Sequence, residues 1–114
     1  RAQCADSLAY SHARGWRRLA LVGAGDLAEI ATLAAHEQPV DLIAVIAPGH
    51  NRATVAGLPV ATTLESARKF DAVLLTDIKT PQATYEALRA FLPDDRILAP
   101  DVLRLTRRPG EAGA

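Results

Sequence analysis

The chain has 114 residues, 49% of them hydrophobic and 23% charged, which is enough for one compact domain and too few for two independent cores. Thirteen basic and thirteen acidic residues cancel to a formal net charge of zero, which argues against binding of nucleic acid or an anionic membrane by this chain itself. The single cysteine fits a reducing compartment, and neither a membrane-length apolar run nor a signal-peptide pattern is present, so we expect a soluble cytoplasmic protein.

Residues 1–15 are predicted to form an extra N-terminal helix, with apolar or small side chains such as Leu8 and Ala13 at helical spacing. Gly15 suits the position that follows a helix end. Two hypotheses remain open for this helix: it packs across the domain's own surface, or it is a connector from an upstream domain that pairs with a second subunit. The start at Arg1 rather than methionine is consistent with a fragment or a processed product.

Short apolar runs alternate with helical segments over residues 16–106, and we expect residues 107–114 to form a flexible tail. Unbroken apolarity within a run indicates burial on both faces, as in a parallel sheet. Pro59 donates no ladder hydrogen bond, so its strand is expected at the sheet margin. The five predicted strands are residues 19–22, 40–46, 55–60, 72–75 and 96–99.

Three helices are predicted between these strands. The first follows a glycine-rich turn and ends before Pro39. The second is short and begins with the capping-box spacing Thr62-x-x-Glu65. The third begins at Thr80 before a proline, and its expected core-facing residues are Ala87, Leu88, Phe91 and Leu92.

This alternation favours a Rossmann-like three-layer α/β domain with a mostly parallel five-stranded sheet in the order 3-2-1-4-5. In such a sheet a ligand binds beyond the carboxyl ends of the strands, where the strand order reverses. The loops expected there are residues 23–26, 47–52 and 76–80.

The glycine turn, residues 23–28, reads Gly-Ala-Gly-Asp-Leu-Ala and matches the G-x-G-x-x-A variant of the dinucleotide fingerprint. In this pattern Gly23 permits the tight turn, Gly25 lets a phosphate approach the backbone, and Ala28 lets the helix pack closely on the sheet. The helix N-terminus adds free amides and a partial positive charge. The alternative is a purely structural turn in which Asp26 caps those amides itself.

Three further residues are candidates at the same edge. The second strand ends without the acid that usually binds the ribose of NAD. Arg52 either meets a 2′-phosphate or another anion, or is simply solvated, as a loop arginine often is. Thr76 and Asp77 follow the fourth strand, where Asp77 either holds a ligand hydroxyl or serves the turn. The full set of predicted binding residues is Gly23, Ala24, Gly25, Asp26, Leu27, Ala28, Arg52, Thr76 and Asp77.

No catalytic residue and no metal site is predicted. Tyr85 and Arg89 have the spacing of the Tyr and Lys of short-chain dehydrogenases, but arginine stays protonated and cannot replace that lysine. No serine stands in a G-x-S-x-G elbow, and the three histidines lack metal-ligand spacing with Cys4. The residues therefore favour a binding domain over an enzyme.

The run Leu-Val-Gly-Ala-Gly-Asp-Leu-Ala-Glu-Ile-Ala at residues 21–31, with residues 41–46, 57–60 and 70–76, resembles the Rossmann-like C-terminal domain of MarR-type winged-helix transcription regulators associated with exopolysaccharide genes. Similar domains begin bacterial nucleotide-sugar epimerase/dehydratases and sugar acyltransferases. The resemblance covers about residues 17–100. It implies a sensory or dimerising half of a regulator, with DNA bound only through an upstream domain.

Two functions from different classes follow. The preferred one is a non-catalytic regulatory domain that binds a nucleotide or nucleotide-sugar phosphate at the glycine turn and forms a homodimer. The alternative is an NADP-dependent or nucleotide-sugar-modifying enzyme, or its cofactor domain, with Arg52 on the 2′-phosphate. NAD(P) and nucleotide sugars are the candidate ligands, and an empty dimerisation module is the third option.

Overall fold

In the computed structural model the described residues are 2–37, 40–47, 53–63, 69–100 and 103–105. The elements within them are α1 (Ala2–Ala13), β1 (Arg18–Val22), α2 (Asp26–Ala35), β2 (Asp41–Ile46), β3 (Thr54–Val55), β4 (Leu58–Ala61), β5 (Ala72–Leu75), α3 (Pro81–Leu88), a 3-10 turn (Asp94–Arg96) and β6 (Ile97–Leu98). No helix in these ranges is long and apolar enough to cross a membrane. Residues 48–52 of the predicted loop 47–52, with Arg52 among them, lie outside the described residues. So do residues 64–68 of the predicted capped helix and the tail 107–114.

The strands form one mostly parallel sheet in the order β3-β4-β2-β1-β5-β6. β1 lies between β2 and β5 and is parallel to both. β4 adds to β2 and β6 adds to β5, again in parallel, whereas β3 pairs antiparallel with β4. The predicted α/β class with a mostly parallel sheet is confirmed.

The prediction of a single strand over residues 55–60, and with it the count of five strands, is wrong. This segment is a hairpin in which Thr54 pairs with Pro59 and Val55 with Leu58. Ala56 and Gly57, the two loop residues, have φ of 53° and 83°. Two consecutive residues with positive φ form a type I′ turn, which matches the twist of the flanking strands. Six strands result.

The centre of the sheet is buried, as its unbroken apolar sequence predicts. Every residue of β5 and every residue of β1 after Arg18 is buried. In β2 the carboxyl-terminal half is buried, while Asp41 at its start is exposed. Burial on both faces is expected for inner parallel strands, and it leaves the strand ends as the places where polar groups reach solvent.

Asp71, which directly precedes β5, links the start of β1 to the start of β5 by hydrogen bonds. Its carboxylate accepts hydrogen bonds from the backbone amides of Arg17 and Arg18, at 3.0 and 3.1 Å. The bond from the Arg18 amide is the largest influence on this carboxyl and lowers its pKa below the usual value, against the opposing effect of burial. The two inner strands are thus aligned at their amino ends.

Helix α1 packs on its own domain over its described side chains. Leu8 and Ser11 have no exposed surface, and α1 contacts α2. The Ser11 hydroxyl donates to the carbonyl of Trp16 at 2.7 Å, and Gly15 follows the helix with φ +82°. Ala13, which the spacing placed on the apolar stripe, is exposed instead. Ser11 takes the buried position, since its hydroxyl finds a hydrogen-bond acceptor in the carbonyl of Trp16, three residues after the helix end.

The buried face of α3 also differs from the prediction. Ala87 and Phe91 are exposed, whereas Tyr85 has no exposed surface and Leu88 is buried with it. The Tyr85 hydroxyl donates to Oδ1 of Asp94 at 2.6 Å, so a partner for its polar end makes full burial of the ring possible. The helix is rotated accordingly, and Ala87 faces away from the core.

Candidate functional site

The β1–α2 connection begins at Gly23, where φ is +119°. A Cβ at this position would lie 2.6 Å from the amide nitrogen of Asp77 and 2.9 Å from the carbonyl carbon of Thr76. These are backbone atoms of the segment that follows β5, so no side-chain movement can relieve the overlap. Only glycine fits between the two turns.

Thr76 holds the same two turns together. Its hydroxyl lies 2.7 Å from the carbonyl oxygen of Gly23 and 3.2 Å from that of Val22, and its amide donates to Val22 at 2.9 Å. The residue is 1% exposed. Its hydroxyl proton is therefore used within the fold, and little of its surface can touch a ligand.

The start of α2 presents unused backbone donors. Gly25 is the N-cap residue in extended conformation, and no side-chain hydrogen bond caps the helix there. The first helical bonds run from the amides of Ala28 and Glu29 to the carbonyl of Gly25. Helix geometry leaves the amides of Asp26 and Leu27 without an intrahelical acceptor. Together with the helix dipole, these amides favour an anion.

A cleft of about 950 Å³ opens in front of these turns, at the carboxyl ends of β1, β2 and β5. Its size is that of a small-molecule site. A Cβ on Gly25 would meet no atom within 4 Å, so the backbone of the glycine turn faces open space. Six of the nine predicted binding residues line the cleft: Gly23, Ala24, Gly25, Asp26, Thr76 and Asp77.

Two of the other three predicted binding residues, Leu27 and Ala28, do not line this cleft. Leu27 is 9% exposed and Ala28 is fully buried, because both point from α2 into the core. Their side chains therefore do not reach the cleft, and the prediction that these two residues bind a ligand stays a prediction. Burial of the small Ala28 side chain agrees with the close helix packing expected of that position. Arg52 lies outside the described residues.

Asp77 serves the β5–α3 turn. Its Oδ1 accepts from the amides of Lys79 and Thr80 at 2.9 and 3.2 Å. Its Oδ2 accepts from the hydroxyls of Thr80 and Thr84 at 3.1 and 2.6 Å. Both carboxylate oxygens are occupied by the start of α3. Of the two roles that the sequence left open, the geometry favours the structural one.

The ionisation of Asp77 is linked to folding. Partial burial raises the pKa of this carboxyl, but the hydrogen bonds from Thr84, Thr80 and Lys79 together outweigh burial and hold the pKa below its usual value. The charged form is therefore favoured by the folded state. Its contribution to stability is present above the unfolded pKa of about 3.9 and is lost as the pH falls through the lower folded value.

We expect Asp77→Asn to lower the free energy of unfolding by about 1.5 kcal/mol at pH 7, because an amide cannot accept all four hydrogen bonds. The difference between wild type and variant should shrink as the pH falls below about 4, where the carboxyl becomes protonated in the unfolded wild-type chain before it does so in the folded one. Urea unfolding at pH 7, 5 and 3 measures this difference. A constant difference across the three values would contradict the linkage of Asp77 to folding.

Several cleft residues were missed by the sequence predictions. Lys79 is the only cation among the described residues that line the cleft, and its place in the predicted loop 76–80 was a usable signal. Thr62 and Thr63 contribute from the segment after β4. An apolar wall, which we define as Ile78, Ala83, Ala87 and Phe91, comes from the β5–α3 side. It was missed because Ala87 and Phe91 were assigned to the core.

The cleft carries few groups suited to acid–base or nucleophilic catalysis. No histidine, cysteine, serine or tyrosine occurs among its described lining residues. Tyr85 and Arg89 are buried in the core face of α3, where Arg89 donates to the carbonyl of Leu92 at 2.8 Å. In the part of the chain that the structure describes, no group of three or more His, Cys, Asp or Glu residues is arranged to hold a metal ion.

The chain matches no protein-family model, no curated protein and no solved structure. The geometry of the cleft therefore carries the functional assignment.

Proposed function

We propose that this chain is the non-catalytic, ligand-sensing or dimerising Rossmann-like domain of a cytoplasmic transcription regulator, and that it binds a nucleotide or nucleotide-sugar phosphate at the glycine turn. With the edge hairpin strand β3 set aside, the order β4-β2-β1-β5-β6 corresponds to the 3-2-1-4-5 order expected of such a domain. The proposed regulator contacts DNA through a further domain.

The observation that carries the binding proposal is the open space in front of Gly25. A structural turn closed by its own side chains would leave no room for a phosphate. Here the amides at the start of α2 face a cleft of about 950 Å³, and Asp26 does not cap them. Lys79, in the β5–α3 connection, supplies a positive charge to the lining of the same cleft.

The proposal of a non-catalytic domain is supported by the environment of the carboxylates in the cleft. Among the described lining residues the carboxylates are Asp26, which is exposed at the first helical position, and Asp77, which accepts four hydrogen bonds. A general acid or base needs a pKa near the working pH, and the pKa of Asp77 is shifted downward, away from it. Asp77 therefore suits a turn better than a proton transfer.

Binding is tested by thermal unfolding of the whole chain with NAD, NADP, UDP-glucose and inorganic pyrophosphate. A ligand present at about ten times its dissociation constant stabilises the fold by about 1.4 kcal/mol. In a domain of this size that raises Tm by about 5 °C. We expect Gly25→Asp to abolish the shift, because its carboxylate would occupy the space of the phosphate. No shift with any of the four compounds would contradict the proposal.

The matched control is Gly25→Ala, which adds a side chain without charge. It should keep the wild-type Tm without ligand, since no atom lies within 4 Å of the new Cβ. It should also keep part of the ligand shift. Asp26→Asn removes a negative charge beside the proposed phosphate and should tighten binding. Turnover of UDP-glucose by the chain would instead favour the enzyme alternative.

A further inference from the structure

Two of the four large exposed hydrophobic side chains among the described residues line the cleft. Among the described residues, Tyr10, Leu33, Ile78 and Phe91 are large hydrophobics with high exposure. Ile78 and Phe91, at 56% and 63% exposed, both line the cleft. Apolar surface of this size in a concave site is typical of a ligand contact.

The helical part of the apolar wall consists of small side chains. Ala83 and Ala87 are four residues apart on α3 and therefore share one face of the helix. Phe91 follows four residues later, in the turn after the helix, where its amide donates to the carbonyl of Leu88 at 2.9 Å. Two small methyl groups beside an exposed aromatic ring leave room for a planar group to lie against the wall.

The volume of the cleft exceeds what a phosphate requires. A water molecule takes about 30 Å³ of liquid volume, and a phosphate takes a small multiple of that. The cleft of about 950 Å³ is therefore large enough for a substantial organic group beside the anion. The amides come from the β1–α2 side and the wall from the β5–α3 side, and β1 and β5 are neighbouring strands. Both surfaces are within reach of one small molecule.

We propose that the base of a nucleotide packs against the apolar wall, with Phe91 as its main contact, while the phosphate binds the glycine turn. This inference rests on the proposed phosphate binding and adds the position of the base. The base lies over the β5–α3 side of the sheet and not over the end of β2. Stacking on an aromatic ring tolerates any base, because every base has a π face.

The test compares AMP with ribose 5-phosphate, in which a hydroxyl group takes the place of the base, in calorimetric titrations of the whole chain. We expect AMP to bind about tenfold more tightly than ribose 5-phosphate. Phe91→Ala should remove most of this preference and leave the affinity for ribose 5-phosphate unchanged. Leu33→Ala is the matched control, since Leu33 is 52% exposed but does not line the cleft, and it should keep the preference.

The outcomes separate this inference from the proposed function. Equal affinities for the two compounds, with binding lost in Gly25→Asp, would overturn the position of the base and retain the phosphate site. A preference for AMP that survives Phe91→Ala would also overturn it. Absence of binding of both compounds would remove the phosphate site and the base site together.

Discussion

Replacement of Gly23 by alanine is expected to lower the free energy of unfolding by about 4 kcal/mol, from backbone strain and from overpacking combined. Alanine is strained at φ +119°, and its Cβ would lie 2.6 Å from the amide nitrogen of Asp77. The obstacle is the backbone that follows β5, so relief requires the two inner strands to separate at their carboxyl ends. Urea unfolding followed by the fluorescence of Trp16, the single tryptophan, measures the loss.

Gly25→Ala is the control for Gly23→Ala. The two glycines belong to the same turn, but Gly25 has φ −148°, an extended conformation that any residue adopts, and open space around its Cβ. We expect the free energy of unfolding of Gly25→Ala to stay within about 0.5 kcal/mol of the wild-type value. An equal loss in both variants would mean that contact with Asp77 is not the reason that Gly23 is needed.

The parallel sheet could be predicted from sequence because its inner strands are unbroken apolar runs. Residues 72–75 were predicted with the bounds that β5 has, and β1 and β2 differ from prediction by one residue at their starts. The edge hairpin could not be predicted in the same way. Its loop places Ala56 at φ 53°, and the usual signal for such a turn is Asn or Asp before glycine.

The candidate site also has one part that could be predicted from the sequence and one part that could not. The glycine turn was predictable because its pattern is local and each position has a stated steric role. The apolar wall was not predictable, since it depends on the rotation of α3 about its axis. The stripe through Ala87, Leu88 and Phe91 has helical periodicity and fits a core-facing surface as well as a cleft wall. The hydrogen bond from Tyr85 to Asp94 favours the rotation of α3 in which Ala87 and Phe91 face the cleft. It is a contact between an aromatic side chain and a later turn, which the sequence pattern does not reveal.

Removal of the Tyr85 side chain is expected to be the second large perturbation. Tyr85 is the largest fully buried side chain among the described residues. Tyr85→Ala should lower the free energy of unfolding by about 4 kcal/mol, because it leaves a cavity beneath α3 that neighbouring side chains fill only in part. Urea unfolding measures the loss against wild type.

Tyr85→Phe separates packing from hydrogen bonding. It keeps the ring and removes only the donor to Asp94, so we expect a loss of about 1.5 kcal/mol. A loss in Tyr85→Ala no greater than in Tyr85→Phe would mean that the ring contributes little to packing. Because the buried face of α3 sets the direction of Ala83 and Ala87, the alanine variant should also weaken AMP binding relative to ribose 5-phosphate. The phenylalanine variant keeps the rotation of the helix and should retain that preference, which ties the orientation of the apolar wall to a buried contact on the other side of the same helix.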